Sequence, residues 1–165
     1  MSVDGTDFQI QQFQPFSKRW YGKKFNGPGV RYEIGVCILT GWIVWLHGPF
    51  PCGMKNDLQV FRHALVNFLE ENERVECDKG YRGEPRNARI PNASDSDDVA
   101  SIRHRVGQRH ETINKRLKQF KCLKNIWRHS LMLQSAATRA VVVITQLGIE
   151  NGEEPFQVDY DDSTW

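Results

Sequence analysis

Tyr32-Glu33-Ile34-Gly35-Val36-Cys37-Ile38-Leu39-Thr40-Gly41-Trp42-Ile43-Val44-Trp45-Leu46 holds two runs of β-branched, aromatic and aliphatic residues on either side of Thr40-Gly41. Such runs favour extended backbone, and a glycine between them supplies a tight turn, so the stretch predicts a hairpin of residues 32–39 and 42–46. Upstream, residues 2–10 form a short, roughly alternating segment with Val3, Phe8 and Ile10 as its apolar positions. The first three strands are therefore expected to make an antiparallel meander. Residues 17–29 between them are polar and basic and end in the turn sequence Asn26-Gly27-Pro28-Gly29.

Downstream, Gly48-Pro49-Phe50-Pro51 is expected to end the hairpin. Leu58, Phe61, Leu65, Phe68 and Leu69 then recur at helical spacing, which predicts a helix over residues 57–70 with Asn56 or Asp57 as its cap. Residues 74–77 read as a short strand closed by Asp78-Lys79-Gly80-Tyr81, and residues 87–90 as another. From Val99 the period becomes helical: Val99, Ile102, Val106, Ile113, Leu117 and Phe120 share a narrow stripe, while Glu111 lies about 150° from its centre. A last helix over residues 130–146 is apolar enough to be well buried, with Gly148 as its stop. Three strands, a helix, two strands and two helices imply a mixed α/β layer fold.

A chain of 165 residues with 39% hydrophobic and 11% aromatic residues can bury one domain's core without a disulfide framework or structural metal. The net charge is only +2, but residues 99–124 hold eight Lys or Arg against Glu111 alone, a local excess of +7. After Arg139 there is no basic residue, and the tail carries Asp159, Asp161 and Asp162 among its acids. This asymmetry suits one basic face turned to a phosphate backbone. Cys37, Cys52, Cys77 and Cys122 have no metal-ligand spacing, which argues against zinc. With no signal peptide, free thiols in a reducing compartment are expected. The longest purely apolar run, residues 140–144, is far short of a membrane span.

Three acids stand out, each with a plain structural alternative. Asp4 could be a solvent-facing strand residue, Asp78 a turn former, and Glu111 an ion-pair partner of Lys115 or Lys118. Together they change the reading, because carboxylates on two strand ends and a neighbouring helix can hold hard divalent cations that bracket a phosphodiester. A glycosidase also uses paired carboxylates, but the basic helix favours a phosphate substrate. His110-Glu111 begins like a zincin motif, yet Asn114 stands where its second histidine is needed. No Walker loop or dinucleotide fingerprint is present.

These residues resemble the DDE superfamily endonuclease domain of the PIF/Harbinger-like transposases, related to bacterial insertion-sequence transposases. The resemblance is carried by Val3-Asp4-Gly5-Thr6, by Gly53-x-x-Asn56-Asp57-x-x-x-Phe61, by Cys77-Asp78-Lys79-Gly80-Tyr81, and by Arg109-His110-Glu111-x-x-Asn114-x-x-Leu117-Lys118-x-Phe120. Asp78 and Glu111 have 32 residues between them, near the family's short spacing.

The resemblance implies an RNase H-like α/β fold over residues 1–160, with a mixed five-stranded sheet flanked by helices. It implies a divalent-metal-dependent nuclease and strand-transfer core in which Asp4, Asp78 and Glu111 are the catalytic, metal-binding acids, with Mg²⁺ or Mn²⁺ as cofactor. DNA is the expected partner, with Lys118 first and Arg109 and Lys115 next as phosphate contacts. Asp57 matches a family motif and doubles as a candidate helix cap. Family members carry a DNA-binding region upstream of the first acid, so a separate DNA-binding protein is expected, and a homodimer and nuclear location in a eukaryote (cytoplasmic otherwise) fit the family. No membrane association is expected. The competing expectation is a domesticated, non-catalytic module that binds nucleic acid or protein.

Overall fold

The computed structural model describes residues 1–156. The tail acids Asp159, Asp161 and Asp162 and the end of the expected domain at residue 160 lie outside the described residues. The chain forms strands β1 (Ser2–Gln9), β2 (Tyr21–Gly22), β3 (Gly27–Val36), β4 (Ile43–Pro51), β5 (Val75–Cys77) and β6 (Ala88–Arg89). Its helices are α1 (Asp57–His63), α2 (Asp97–Leu117), the single turn α3 (Lys121–Lys124) and α4 (Leu131–Glu150).

One mixed sheet results. Strand β3 pairs antiparallel with β1 on one side and with β4 and the short β2 on the other, while β1, β5 and β6 run parallel. The expected meander is therefore present. β1 is not a weakly supported edge: all eight of its residues are registered with β3, from Ser2↔Val36 to Gln9↔Gly29, and its start also pairs with β5.

Alternation divides the side chains of β1 and β3 between two cores. Phe8, Val30, Tyr32, Ile34 and Val36 face α2 and α4, where they join Ile113, Leu117 and Val141. Val3, with Val75 and Cys77 of β5, faces α1 and packs on Phe61, Leu65 and Tyr81. Phe61 is fully buried, so truncating it to alanine would cost about 3–5 kcal/mol and loosen the attachment of α1.

Several boundaries depart from the sequence reading for identifiable reasons. Gly48-Pro49 does not end β4; the register slips between Arg31↔Phe50 and Glu33↔His47, so the pair forms a bulge and the strand runs on to Pro51. Gly48 holds φ +142°, and an added Cβ would lie 2.7 Å from the Tyr32 ring. The helix expected over residues 57–70 stops at His63 and gives way to a 3₁₀ turn, Leu65–Phe68. Gly148 does not stop α4, which continues to Glu150 before Gly152 takes a positive φ. Nor is α4 well buried. Gln134, Thr138 and Val141 face the core, but Met132, Leu133, Val143, Ile144 and Leu147 are exposed. Its length and composition would suffice to cross a membrane, a property that apolar core helices share.

Candidate functional site

Parallel pairing of β1 with β5 sets Ser2↔Glu76 and Val3↔Cys77, so the next residue on each strand is an acid, Asp4 and Asp78. Adjacent strands lie about 4.8 Å apart, so two carboxylates are brought together where β5 ends. Asp78 caps the 3₁₀ turn Lys79–Tyr81, its Oδ1 accepting from the Gly80 N–H at 2.8 Å. The turn-forming role is thus realised, and it fixes the carboxylate beside Asp4.

Asp4 faces α2. Its Oδ1 accepts from the Gly5 N–H at 2.7 Å and its Oδ2 from Asn114 Nδ2 at 3.3 Å. The strand and helix meet in successive rungs: Ser2 Oγ lies 3.0 Å from His110 Nδ1, Asp4 takes Asn114, and Lys118 Nζ stands 6.0 Å from the Phe8 ring centroid. His110, Asn114 and Lys118 recur every four residues, the spacing that lines one helix face.

Burial, then the charge of Asp78, raises the Asp4 carboxyl to about 6, against the hydrogen bond from Gly5 and the charge of Lys24. At about 1.4 kcal/mol for each tenfold change in proton affinity, ionised Asp4 is disfavoured by about 3 kcal/mol. A bound cation is one way to offset that cost.

Asp57 approaches from the other face of β1. Asn56 is the cap of α1, in a reciprocal box with Gln59, which releases the Asp57 side chain from the capping role expected of it. A Cβ on Gly5 would sit 2.1 Å from Asp57 Oδ1, and one on Gly80 would sit 3.5 Å from Asp57 Oδ2 and 2.8 Å from Asp78 Oδ1. Two bare glycines therefore let Asp57 come close to the pair. Arg31 Nη1 lies 3.2 Å from Asp57 Oδ1, while its Nε and Nη2 bind the directly opposite Asp7 at 2.7 and 2.9 Å. Burial raises the Asp57 carboxyl and Arg31 opposes it.

Glu111 shares a cavity of about 330 Å³ with Asp4 and Asp78, to which His110 and Arg103 also contribute. Its side chain is 66% exposed and ion-paired with Lys115 at 3.2 Å, so the carboxylate sits at the cavity mouth, apart from the other two. Among the described residues no three His, Cys, Asp or Glu side chains are gathered into a metal-binding group. Mg²⁺ does not require one, since it is usually held through one or two carboxylates, water and substrate phosphates. Asp4 and Asp78 fit that donor set.

Several of the cations expected on the basic side of α2 are engaged within the fold. Arg109 was expected at phosphate, but it is only 2% exposed and its guanidinium donates to the carbonyls of Ile38, Leu39 and Phe156. Arg103 binds Glu76 and Asp95, and Arg116 donates to the carbonyls of Glu153 and Glu154. Lys115 is engaged by Glu111. Lys118 remains beside the acids, its ammonium disfavoured by burial and by Lys24.

In the sequence Asn114 stands out only as part of the Arg109-His110-Glu111-x-x-Asn114 motif, with no role of its own, and neither Arg31 nor Lys24 stands out. Arg31 was accessible from register alone, since antiparallel pairing puts it opposite Asp7. Comparison with protein-family models, with curated proteins and with solved structures returned no match.

Proposed function

We propose that this chain is the metal-dependent nuclease core of a transposase, with an RNase H-like fold and DNA as its substrate. The observation that carries the proposal is the juxtaposition of Asp4, inside β1, with Asp78, just past the end of the adjacent parallel strand β5, with Asp4 raised to about 6. Strand order supports the fold reading: three antiparallel strands lead into parallel β5 and β6, with β1 central and helices on both faces.

Asp4 and Asp78 would hold Mg²⁺ or Mn²⁺, which when bound supplies an activated water and charge stabilisation for the leaving 3′ oxygen. Asn114 orients Asp4 by donating to Oδ2, and Gly5 fixes the other oxygen. Lys118, one helical turn beyond Asn114 and beside Phe8, is placed to meet a phosphate that leads away from Asp4 along β1. Glu111 completes the acids from the mouth of the shared cavity. Reaching inward requires that it leave Lys115, and an exposed i,i+4 pair holds it by about 0.3–0.5 kcal/mol. Asp57 is the poorer third ligand because Arg31 already neutralises it.

A non-catalytic nucleic-acid-binding module is the second reading, favoured by the Glu111–Lys115 pair and the lack of a gathered three-ligand group among the described residues. Incubation of supercoiled plasmid with the purified chain in Mg²⁺ or Mn²⁺, alone and with a DNA-binding partner, separates the two. Nicks with 3′-OH ends support the nuclease. Metal and DNA binding without nicking supports the module.

A further inference from the structure

A second cavity, of about 510 Å³, is lined by Arg31 together with Lys18, Lys23, Lys24 and Lys55. Two segments build it: the 3₁₀ turn Lys18–Trp20 with β2 and its turn, and the connection from β4 to α1. They are docked closely. Gly53 N–H donates to the Arg19 carbonyl at 2.9 Å, Cys52 N–H donates to the Gly29 carbonyl at 3.1 Å, and a Cβ on Gly53 would meet the Lys18 carbonyl at 2.3 Å. The lysines are thus carried on a built wall.

Among the described residues none of these four lysines is ion-paired with a carboxylate, in contrast to Arg103 and Lys115 of α2. The one acid on the cavity wall, Asp7, has both oxygens taken by Arg31. Four like charges around one concavity repel each other, and an anion with several charges relieves that repulsion. Lys24 is close enough to act on the carboxyls of both Asp4 and Asp57 and on Lys118. Arg31 lines the basin and reaches Asp57, and Asp57 packs against Gly5 and Gly80, which lie one residue past Asp4 and two past Asp78, so the basin adjoins the acid pair across the Arg31–Asp57 contact.

We infer that this basin is the track for the phosphodiester backbone of a DNA strand leading to Asp4 and Asp78. Its ligand is a run of backbone phosphates. That the strand is cut at its end rests on the nuclease reading; that it binds in the basin does not.

The test is a titration of fluorescein-labelled DNA duplex in EDTA, over a range of salt, with three proteins. These are the parent, the double variant Lys23→Ala/Lys24→Ala, and the double variant Lys121→Ala/Lys124→Ala, which removes the same charge from α3. Lys23, Lys24, Lys121 and Lys124 are all exposed, and circular dichroism checks that both variants fold. The basin variant is expected to bind about tenfold more weakly, with a log–log salt slope shallower by about two, because two phosphate contacts are lost. The α3 variant should change affinity by less than about threefold. Equal losses in the two variants would reduce the effect to net charge and overturn the inference, as would parental binding by the basin variant. Displacement of the duplex by inorganic triphosphate at concentrations comparable to the duplex would make the basin a small-polyphosphate site and overturn the DNA track. If the parent never nicks plasmid but the basin variant alone loses binding, the nuclease reading fails and the track stands.

Discussion

Asp4 and Glu111 are both acids bordering one cavity, and they are held in opposite ways. Asp4 is fixed by backbone: its strand is registered on both sides, and Gly5 and Asn114 fasten its two oxygens. Glu111 is held at 3.2 Å by one exposed lysine on its own helix. A strand can present a charge with little freedom and pays in desolvation, whereas the solvent side of a helix leaves the charge hydrated and mobile. If the site works on phosphodiesters, the strand acids form its fixed part and Glu111 its adjustable part.

The largest effect should come from the fixed part. Asp78→Asn keeps the turn, since the amide oxygen can still accept from the Gly80 N–H, but it removes the charge that pairs with Asp4. Cleavage in Mg²⁺ should fall on the order of a thousandfold or more while the melting temperature changes little. Equal rates for variant and parent in a plasmid-nicking assay would remove Asp78 from the site.

Next, the two candidate third acids should separate by phenotype. Glu111→Gln should lower cleavage on the order of a hundredfold with almost no change in stability, because it loses only an exposed ion pair. Asp57→Asn should do the reverse, costing about 1 kcal/mol through Arg31 and lowering cleavage by less than tenfold. Urea melts beside single-turnover rates read both quantities. The opposite pattern would make Asp57 the third ligand.

How far the sequence revealed this arrangement depends on the kind of contact involved. The hairpin around Thr40-Gly41 and the strand-end placement of Asp78 follow from local composition, and both are present. The burial of Arg109 does not follow from charge counting, but the apolar stripe of α2 held a clue. Between Val106 and Ile113 it has no apolar rung, and Arg109 and His110 fill that gap as buried polar residues. His110 is accordingly kept neutral, burial lowering it to about 4. The meeting of residues 18–24 with residues 52–55 depends on close backbone approach at Gly53, which no periodicity encodes.

A smaller effect tests whether burial of strand acids has the expected sign. Glu33 of β3 is 1% exposed, its Oε2 accepts from Trp45 Nε1 at 2.9 Å, and desolvation raises it to about 7 from 4.5. A carboxyl raised in the folded state favours folding fully below its unfolded value and loses that contribution as pH climbs through 7. Glu33→Gln cannot ionise and still accepts from Trp45. Its stability relative to the parent should therefore rise between pH 5 and pH 8, by at most about 3 kcal/mol. Melting temperatures in EDTA at several pH values measure this, and a pH-independent difference would mean that Glu33 is not desolvated.

The smallest effect bears on the adjustable acid itself. Lys115→Ala removes the partner of Glu111 at a side chain that is 71% exposed, so the pair should contribute no more than about 0.5 kcal/mol to folding, and less as salt screens it. That small number matters because the proposed role of Glu111 requires the pair to open whenever metal and substrate are bound. If opening is cheap, Lys115→Ala should leave the melting temperature almost unchanged and the affinity for Mg²⁺ within about twofold of the parent. A measured coupling between Glu111 and Lys115 above about 1.5 kcal/mol in a double-mutant cycle would show that the pair is a fixed structural contact. Glu111 would then be held away from Asp4 and Asp78, and the acid site would consist of the strand carboxylates with Asp57.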